Sequence, residues 1–341
     1  MLESPPEGTR VWVPVHLIVG CGFVCVLRSV FVADMTLQPY AYFEGQFVPT
    51  EEAKVSIATH ALQYGTGAFG GIRGYLDVSD ESINIFRLPD HTRRLMNSGR
   101  MLRSKLNLDA DGLAGVIQEL VARNNPHSNV YLRPFIYKAG LELSPRLNVR
   151  DEIAIYMLAM DNYFKSDTPL RVMVSSWTRL SDTIIPSRGK ITGGYVNSAM
   201  AKDQAESAGY DDAIMMNVHG KVAEGTGANL FIVRNGALIT SPITGDILEG
   251  ITRRTLFMFA RDAGIPVEER DIDRSELYVA DEAFFCGTGA QVAAIGEIDG
   301  RPVGDGARGP ITTRMQDIFF ACVRGEDKTY DHLLTRVPVR P

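Results

Sequence analysis

Cysteine is scarce in this 341-residue chain: Cys21, Cys25, Cys286 and Cys322 are too few and too scattered for a disulfide framework. Cys21 and Cys25 stand four apart, but no second Cys/His pair at finger spacing completes a zinc site, and the six histidines are dispersed. No metal site is expected. A long Lys/Arg block is also missing, and the formal net charge is -6. Nucleic acid is excluded as the main partner, because phosphate binding needs a clustered positive field. There is no repeat of fixed period and no low-complexity tract. What is present is ordinary: 45% hydrophobic and 22% charged residues, close to the averages of a soluble globular protein, in a chain long enough for two domains. The default setting is reducing and cytoplasmic.

One apolar run, residues 11–33, comes near the ~20 residues that a membrane-spanning helix takes. Pro14, His16, Gly20, Gly22 and Arg28 interrupt it, which speaks against an anchor. A secretory signal fits less well, since Glu3, Glu7 and a lone Arg10 precede the run and no clear small-residue cleavage site follows. Residues 1–34 are expected to be an extension outside the folded part, with translation beginning in effect at Met35. No membrane partner is expected for the folded part.

From Tyr40 onward short strands alternate with helices. AYFEGQFVP has the Glu44-Gly45 turn of a hairpin, SINIFRL reads as a strand, and Pro89-Asp90 opens a helix with Asp90 as its N-cap. Leu113, Val116, Ile117, Leu120 and Val121 mark an amphipathic helix over 111–123. The five glycines between Tyr64 and Tyr75 call for positive φ or close backbone approach. Gly65, Gly67 and Gly70 spell a dinucleotide-binding pattern in letters, but no helix follows it. A polar, proline-containing stretch interrupts the pattern in the 160s. The expected organisation is α+β: an extension (1–34), a small N-terminal domain (35–162), a linker (163–169), a larger C-terminal domain (170–328) and a tail (329–341).

Lys190 lies between glycines just before a helix, where a lysine is ordinarily a solvated loop residue. Its company changes that reading. Tyr195 begins the next helix, Glu224 precedes a glycine turn between two β segments, and Gly250-Ile251-Thr252 opens a helix whose free N–H groups suit a phosphate. Gly287-Thr288-Gly289-Ala290 is a second tight, hydroxyl-bearing turn suited to the same anion.

With these blocks in place the sequence resembles the fold-type IV pyridoxal-phosphate enzymes, most closely the branched-chain amino acid aminotransferases. Eight blocks stand in family order between about Tyr40 and about Gly325: YGTGAFGGIRGY, NIFRLPDHTRRL, YLRPFIY, SSWTR, GKITGGYVNS, EGTGANLF, LEGITRRTL and CGTGAQV. The resemblance implies that Lys190 holds pyridoxal 5'-phosphate as a Schiff base and shuttles a proton, which requires a lowered amine pKa. It implies that Glu224 pairs with the pyridine nitrogen and that Tyr195 bonds the phenolic oxygen. Arg87, Ile251, Thr252 and Thr288 would hold the phosphate, with Leu248 beside the ring. For the substrate it implies Tyr131 and Arg133, with Gly289 and Ala290, near the α-carboxylate. Phe69, Tyr64 and Tyr163 would line the side-chain pocket, and Arg73 would stand at its mouth.

The implied reaction is ping-pong transamination from L-Leu, L-Ile or L-Val to 2-oxoglutarate, in a homo-oligomer of at least two subunits. Two positions depart from the family pattern. Gly70 replaces the acid of F-E-G-I-R, and Ala228 replaces the second glutamate of E-G-x-G-E-N. A looser pocket follows, so an (R)-amine or D-amino acid transaminase stands as the alternative within the fold, and an aminodeoxychorismate lyase as a remoter one. A binding protein without catalysis would not need Lys190, Glu224 and Tyr195 together.

Overall fold

The computed structural model describes residues 36–160 and 168–340. The expected extension, Cys21 and Cys25, Tyr163 and most of the expected linker lie outside the described residues. The described strands form two nine-stranded sheets. The first is antiparallel throughout and centres on Val130–Lys138 paired with Asp151–Ala159. The second is mixed: Leu170–Val174 lies parallel to both Asp212–Met216 and Gln291–Ile298, and its other central strands run antiparallel. Six α-helices accompany them: α1 (His60–Tyr64), α2 (Leu88–Met101), α3 (Ala110–Asn124), α4 (Tyr195–Ser207), α5 (Ile251–Asp262) and α6 (Pro310–Val323). The α+β expectation holds. Among the described residues no helix is long and apolar enough to cross a membrane, and no group of three or more His, Cys, Asp or Glu is placed to hold a metal ion.

Helix periodicity explains how α2 and α3 seat on the first sheet. Leu88, His91, Thr92, Leu95, Ser98 and Gly99 are the buried positions of α2, one stripe at i, i+3, i+4 spacing. In α3 the buried residues are Leu113, Ile117, Leu120 and Val121, and the Asp109 carboxylate caps the helix by accepting from Gly112 N at 2.8 Å. A second apolar cluster joins both sheets through α5 and α6. Phe86 of the first sheet meets Phe319 of α6 edge-to-face at 5.6 Å, and Phe231 stacks on Phe284 within the second sheet at 5.2 Å. Burial of these rings fixes the helices between the sheets and so fixes the N-terminus of α5.

Two local expectations are corrected. Asp90 is not the N-cap of α2. The helix begins at Leu88, with Arg87 at the cap position and Pro89 in the first turn, where its missing N–H costs nothing. The expected tail, 329–341, is not one in its described part: Leu334–Pro338 is a strand that pairs antiparallel with Ser82–Phe86 and forms the edge of the first sheet. Within that strand only Val337 is buried, so its apolar pattern is too weak to read from sequence.

The first sheet also buries an ion pair. Lys138 and Asp151 are register partners, 2.8 Å apart, and both side chains are almost fully buried. The second carboxylate oxygen accepts from Lys105 N. Lys138→Ala would strand that charge, so urea unfolding should show a loss of about 3–5 kcal/mol. Lys138→Met combined with Asp151→Leu should recover most of it.

Candidate active site

The loop carrying Lys190 is sewn to the first sheet by its backbone. Ala68 and Ile191 form an antiparallel bridge, Phe69 N donates to Lys190 O at 2.9 Å, and Gly193 N donates to Gly65 O at 3.0 Å. Lys190 N donates to Ser98 Oγ of α2 at 3.1 Å. Gly65 has φ of 63° and lies against Gly193, where a side chain would run into backbone. A 3-10 turn at Thr192–Gly194 then leads into α4, whose first residue is Tyr195. The five-residue spacing becomes a contact: Lys190 Nζ donates to Tyr195 Oη at 2.5 Å.

Both groups face a cavity of about 270 Å³. Burial pushes the Lys190 amine down to about 7, helped by the Arg94 and Arg133 guanidinium groups and opposed by Tyr131 and Glu224. Burial also pushes the Tyr195 phenol up to about 12, so it stays protonated at neutral pH. Phe69 covers this pair, its ring 4.6 Å from that of Tyr195 and 5.0 Å from Lys190 Nζ. Glu224 is held from three sides. Arg179 pairs with it at 2.9 Å, Asn229 Nδ2 donates at 2.8 Å and Leu248 N at 3.2 Å. Burial raises the Glu224 pKa, and Arg179 opposes that rise.

One end of the cavity is suited to an anion. Ile251 and Thr252 bring the first turn of α5 to it, and no side chain caps that helix. Thr288 comes from the turn between Glu282–Gly287 and Gln291–Ile298, and Arg94 comes from α2. Among the described residues neither Arg94 nor Arg133 has a carboxylate partner within ion-pair distance. Uncompensated cations around a buried amine suit a phosphorylated aldehyde on one side and a carboxylate substrate on the other.

Of the residues named from sequence, Lys190, Tyr195, Glu224, Leu248, Ile251, Thr252 and Thr288 line this cavity. So do Phe69, Tyr131, Arg133, Gly289 and Ala290. Three do not. Arg87 spends its guanidinium on Asp90 and Thr255, and the arginine that α2 turns into the cavity is Arg94, two turns further along. Tyr64 is partly exposed and donates its hydroxyl to Leu143 O. Arg73 is buried in the first sheet, where it donates to Met160 O and covers the Tyr75 ring. Residues that sequence reasoning missed are Arg94, Arg179, Asn229 and the Asp212–Thr226 pair, all lining the cavity. Arg94 stands in the same block as Arg87, three residues after the buried His91 and four before the buried Ser98. Gly71 also lines the cavity, and a side chain there would collide with the Tyr131 hydroxyl that Arg133 contacts at 3.1 Å.

Residues 68–298 match the amino-transferase class IV family model. The chain is 44% identical over 300 residues to a probable branched-chain-amino-acid aminotransferase of Aquifex aeolicus, covering 87% of this chain and 96% of that protein. It is 36% identical over 292 residues to the branched-chain-amino-acid aminotransferase of Escherichia coli K12, covering 84% and 94%. The branched-chain aminotransferase of Thermoproteus uzoniensis, solved with norvaline, superposes with a TM-score of 0.85 at 40% identity, covering 88% of this chain and 99% of that one. The branched-chain amino acid aminotransferase of Thermobaculum terrenum, solved in its PLP-form, gives a TM-score of 0.85 at 39% identity, covering 88% and 99%.

The electrostatics of Lys190 carry a sign that can be measured. In the cofactor-free protein, lysine-selective NMR should find one ε-amine titrating near pH 7. Arg94→Met removes a repelling cation and should raise that midpoint, and Glu224→Gln removes an attracting anion and should lower it. Between about 7 and the ordinary 10.5 the unfolded chain holds a proton that the folded one does not, so this group's contribution to stability should grow as pH rises through that window.

Proposed function

The chain belongs to the class IV aminotransferase family, and from this we propose that it moves the amino group of L-leucine, L-isoleucine and L-valine to 2-oxoglutarate with pyridoxal 5'-phosphate as cofactor. The branched-chain names of its relatives support the donor class. The observation that carries the reading is the Lys190–Tyr195 contact in one cavity with Glu224, Arg94 and the start of α5.

When bound, the cofactor supplies an aldehyde to carry nitrogen and a ring that draws electrons from the substrate α-carbon. The chain's own residues do the rest. Lys190 would anchor the cofactor, and its amine, poised near 7, is basic enough to take a proton from the α-carbon and acidic enough to return it. Tyr195 orients Nζ through their hydrogen bond. Glu224 would pair with the ring nitrogen, and its three partners keep the carboxylate from turning away. Arg94, Thr288 and the N–H groups of Ile251 and Thr252 would hold the phosphate. Arg133, Tyr131 and the N–H groups of Gly289 and Ala290 would hold the substrate carboxylates. Phe69 keeps water from Nζ.

We also place the chain in a homodimer or larger assembly. Ile57, Leu62 and Leu143 are strongly exposed apolar side chains on α1 and the two loops bonded to it, an apolar face suited to a second copy. A reducing, cytoplasmic setting belongs to the same proposal, and Cys286 and Cys322 are free and buried.

The purified protein should be yellow and should bleach with L-leucine in the absence of any acceptor, then recover on addition of 2-oxoglutarate. Lys190→Ala should abolish that cycle. Bleaching by (R)-1-phenylethylamine and not by L-leucine would move the assignment to the amine branch of the fold, and pyruvate release without an acceptor would move it to a lyase. Light scattering on a sizing column should give the mass of two chains or more, and Ile57→Glu with Leu62→Glu should lower it.

A further inference from the structure

We propose that Arg87, although outside the cavity, is a positioning residue for its anion-binding end, because it clamps α2 to α5. The inference rests on the function proposed above. Arg94 and the first turn of α5 come from helices that are far apart in the chain, so they act on one phosphate only if their separation is held. Arg87, His91 and Arg94 share one face of α2 at i, i+4 and i+7.

The bonds run from that face to the neighbouring helix. Arg87 Nε donates to Asp90 Oδ2 at 2.8 Å, and Arg87 Nη1 donates to Thr255 Oγ1 at 2.9 Å. Thr255 is fully buried, and its hydroxyl donates onward to the Ile251 carbonyl at 2.8 Å. The other Asp90 oxygen pairs with Arg254 of α5 at 3.3 Å. The Arg87 and Asp90 side chains are mostly buried, so water screens the pair little. Arg87 itself sits in the left-handed region, φ 51°, with its N–H bonded to Leu333 O at 2.7 Å. A non-glycine residue keeps that conformation where its surroundings over-determine it. The fork of one guanidinium thus ties the first turn of α2 to Thr255, one turn behind the phosphate cup, and through its hydroxyl to the carbonyl of Ile251.

The test compares pyridoxal 5'-phosphate with pyridoxal, which lacks the phosphate. Dissociation constants are measured by absorbance on the resolved full-length protein. Arg87→Gln should weaken pyridoxal 5'-phosphate about tenfold, the order of one charge-assisted contact, and leave pyridoxal unchanged. Arg87→Lys keeps the charge but not the fork, so it should lie closer to Arg87→Gln than to the parent. Thr255→Val should reproduce the loss in part, and in an Arg94→Gln background Arg87→Gln should add little. Three results would overturn the clamp: a phosphate-form constant within twofold of the parent, an equal loss for both forms, or full affinity in Arg87→Lys with no effect of Thr255→Val. A parent protein that binds neither form would instead overturn the proposed function, and the clamp with it.

Discussion

Burial of the Lys190 ε-amine, in a cavity that the Arg94 and Arg133 guanidinium groups share with it, is the constraint on which this structure turns. Each cation is costly to bury, and their costs compound. The fold meets that cost by leaving the amine free to shed its proton. It also sets Glu224 into the same cavity, neutralised in part by Arg179. A site built this way favours anions strongly, and both implied guests, a phosphorylated aldehyde and an amino acid, bring negative charge. Stability and chemistry are therefore in tension in the cofactor-free chain and in accord once an anion binds.

Much of this was legible in the residues, and the limits are physical. Strands with alternating or continuous apolar patterns, the Glu44-Gly45 turn, and α3 with its periodic apolar residues all appear where local chemistry places them. The Lys190, Tyr195 and Glu224 group was legible because each stands in a glycine-bearing block of the family resemblance, with Lys190 and Tyr195 close in the chain. Arg87 misled because the resemblance carried the phosphate role to the first arginine of the NIFRLPDHTRRL block. Its left-handed backbone instead turns it toward Asp90 and Thr255. Arg94 was hidden because a basic residue on an amphipathic helix looks like a solvated one. Only the tertiary position of the α2 stripe shows that this part of the face meets a cavity. Arg179 and Asn229 were hidden for a related reason: their importance lies in whom they touch, and Glu224 is distant in sequence from Arg179.

Family membership constrains the chemistry more tightly than it constrains the pocket. The residues that would hold the cofactor are brought together by backbone features, namely a bridged loop, a helix start and a tight turn, which tolerate little variation. Elsewhere the cavity wall depends on side-chain size at Phe69, Gly71, Tyr131 and Ala228. The close seating of Gly71 under the Tyr131 hydroxyl shows how narrow that tolerance is. Pocket breadth can drift at Ala228 without disturbing the amine, because Ala228 lies in the turn after Glu224 and outside the three bonds that hold the carboxylate.

The strand Leu334–Pro338 has a consequence for how the protein comes into being. It covers the edge strand Ser82–Phe86, and the residue just before it, Leu333, accepts the N–H of Arg87. On a ribosome the strand it covers is made early and the covering strand is the last described element to be made. Until then the nascent chain carries an open β-edge, the surface on which neighbouring polypeptides stick, and Arg87 lacks one of its anchors. The edge of the first sheet therefore closes, and Arg87 gains its backbone anchor, only once Leu334–Pro338 has been made.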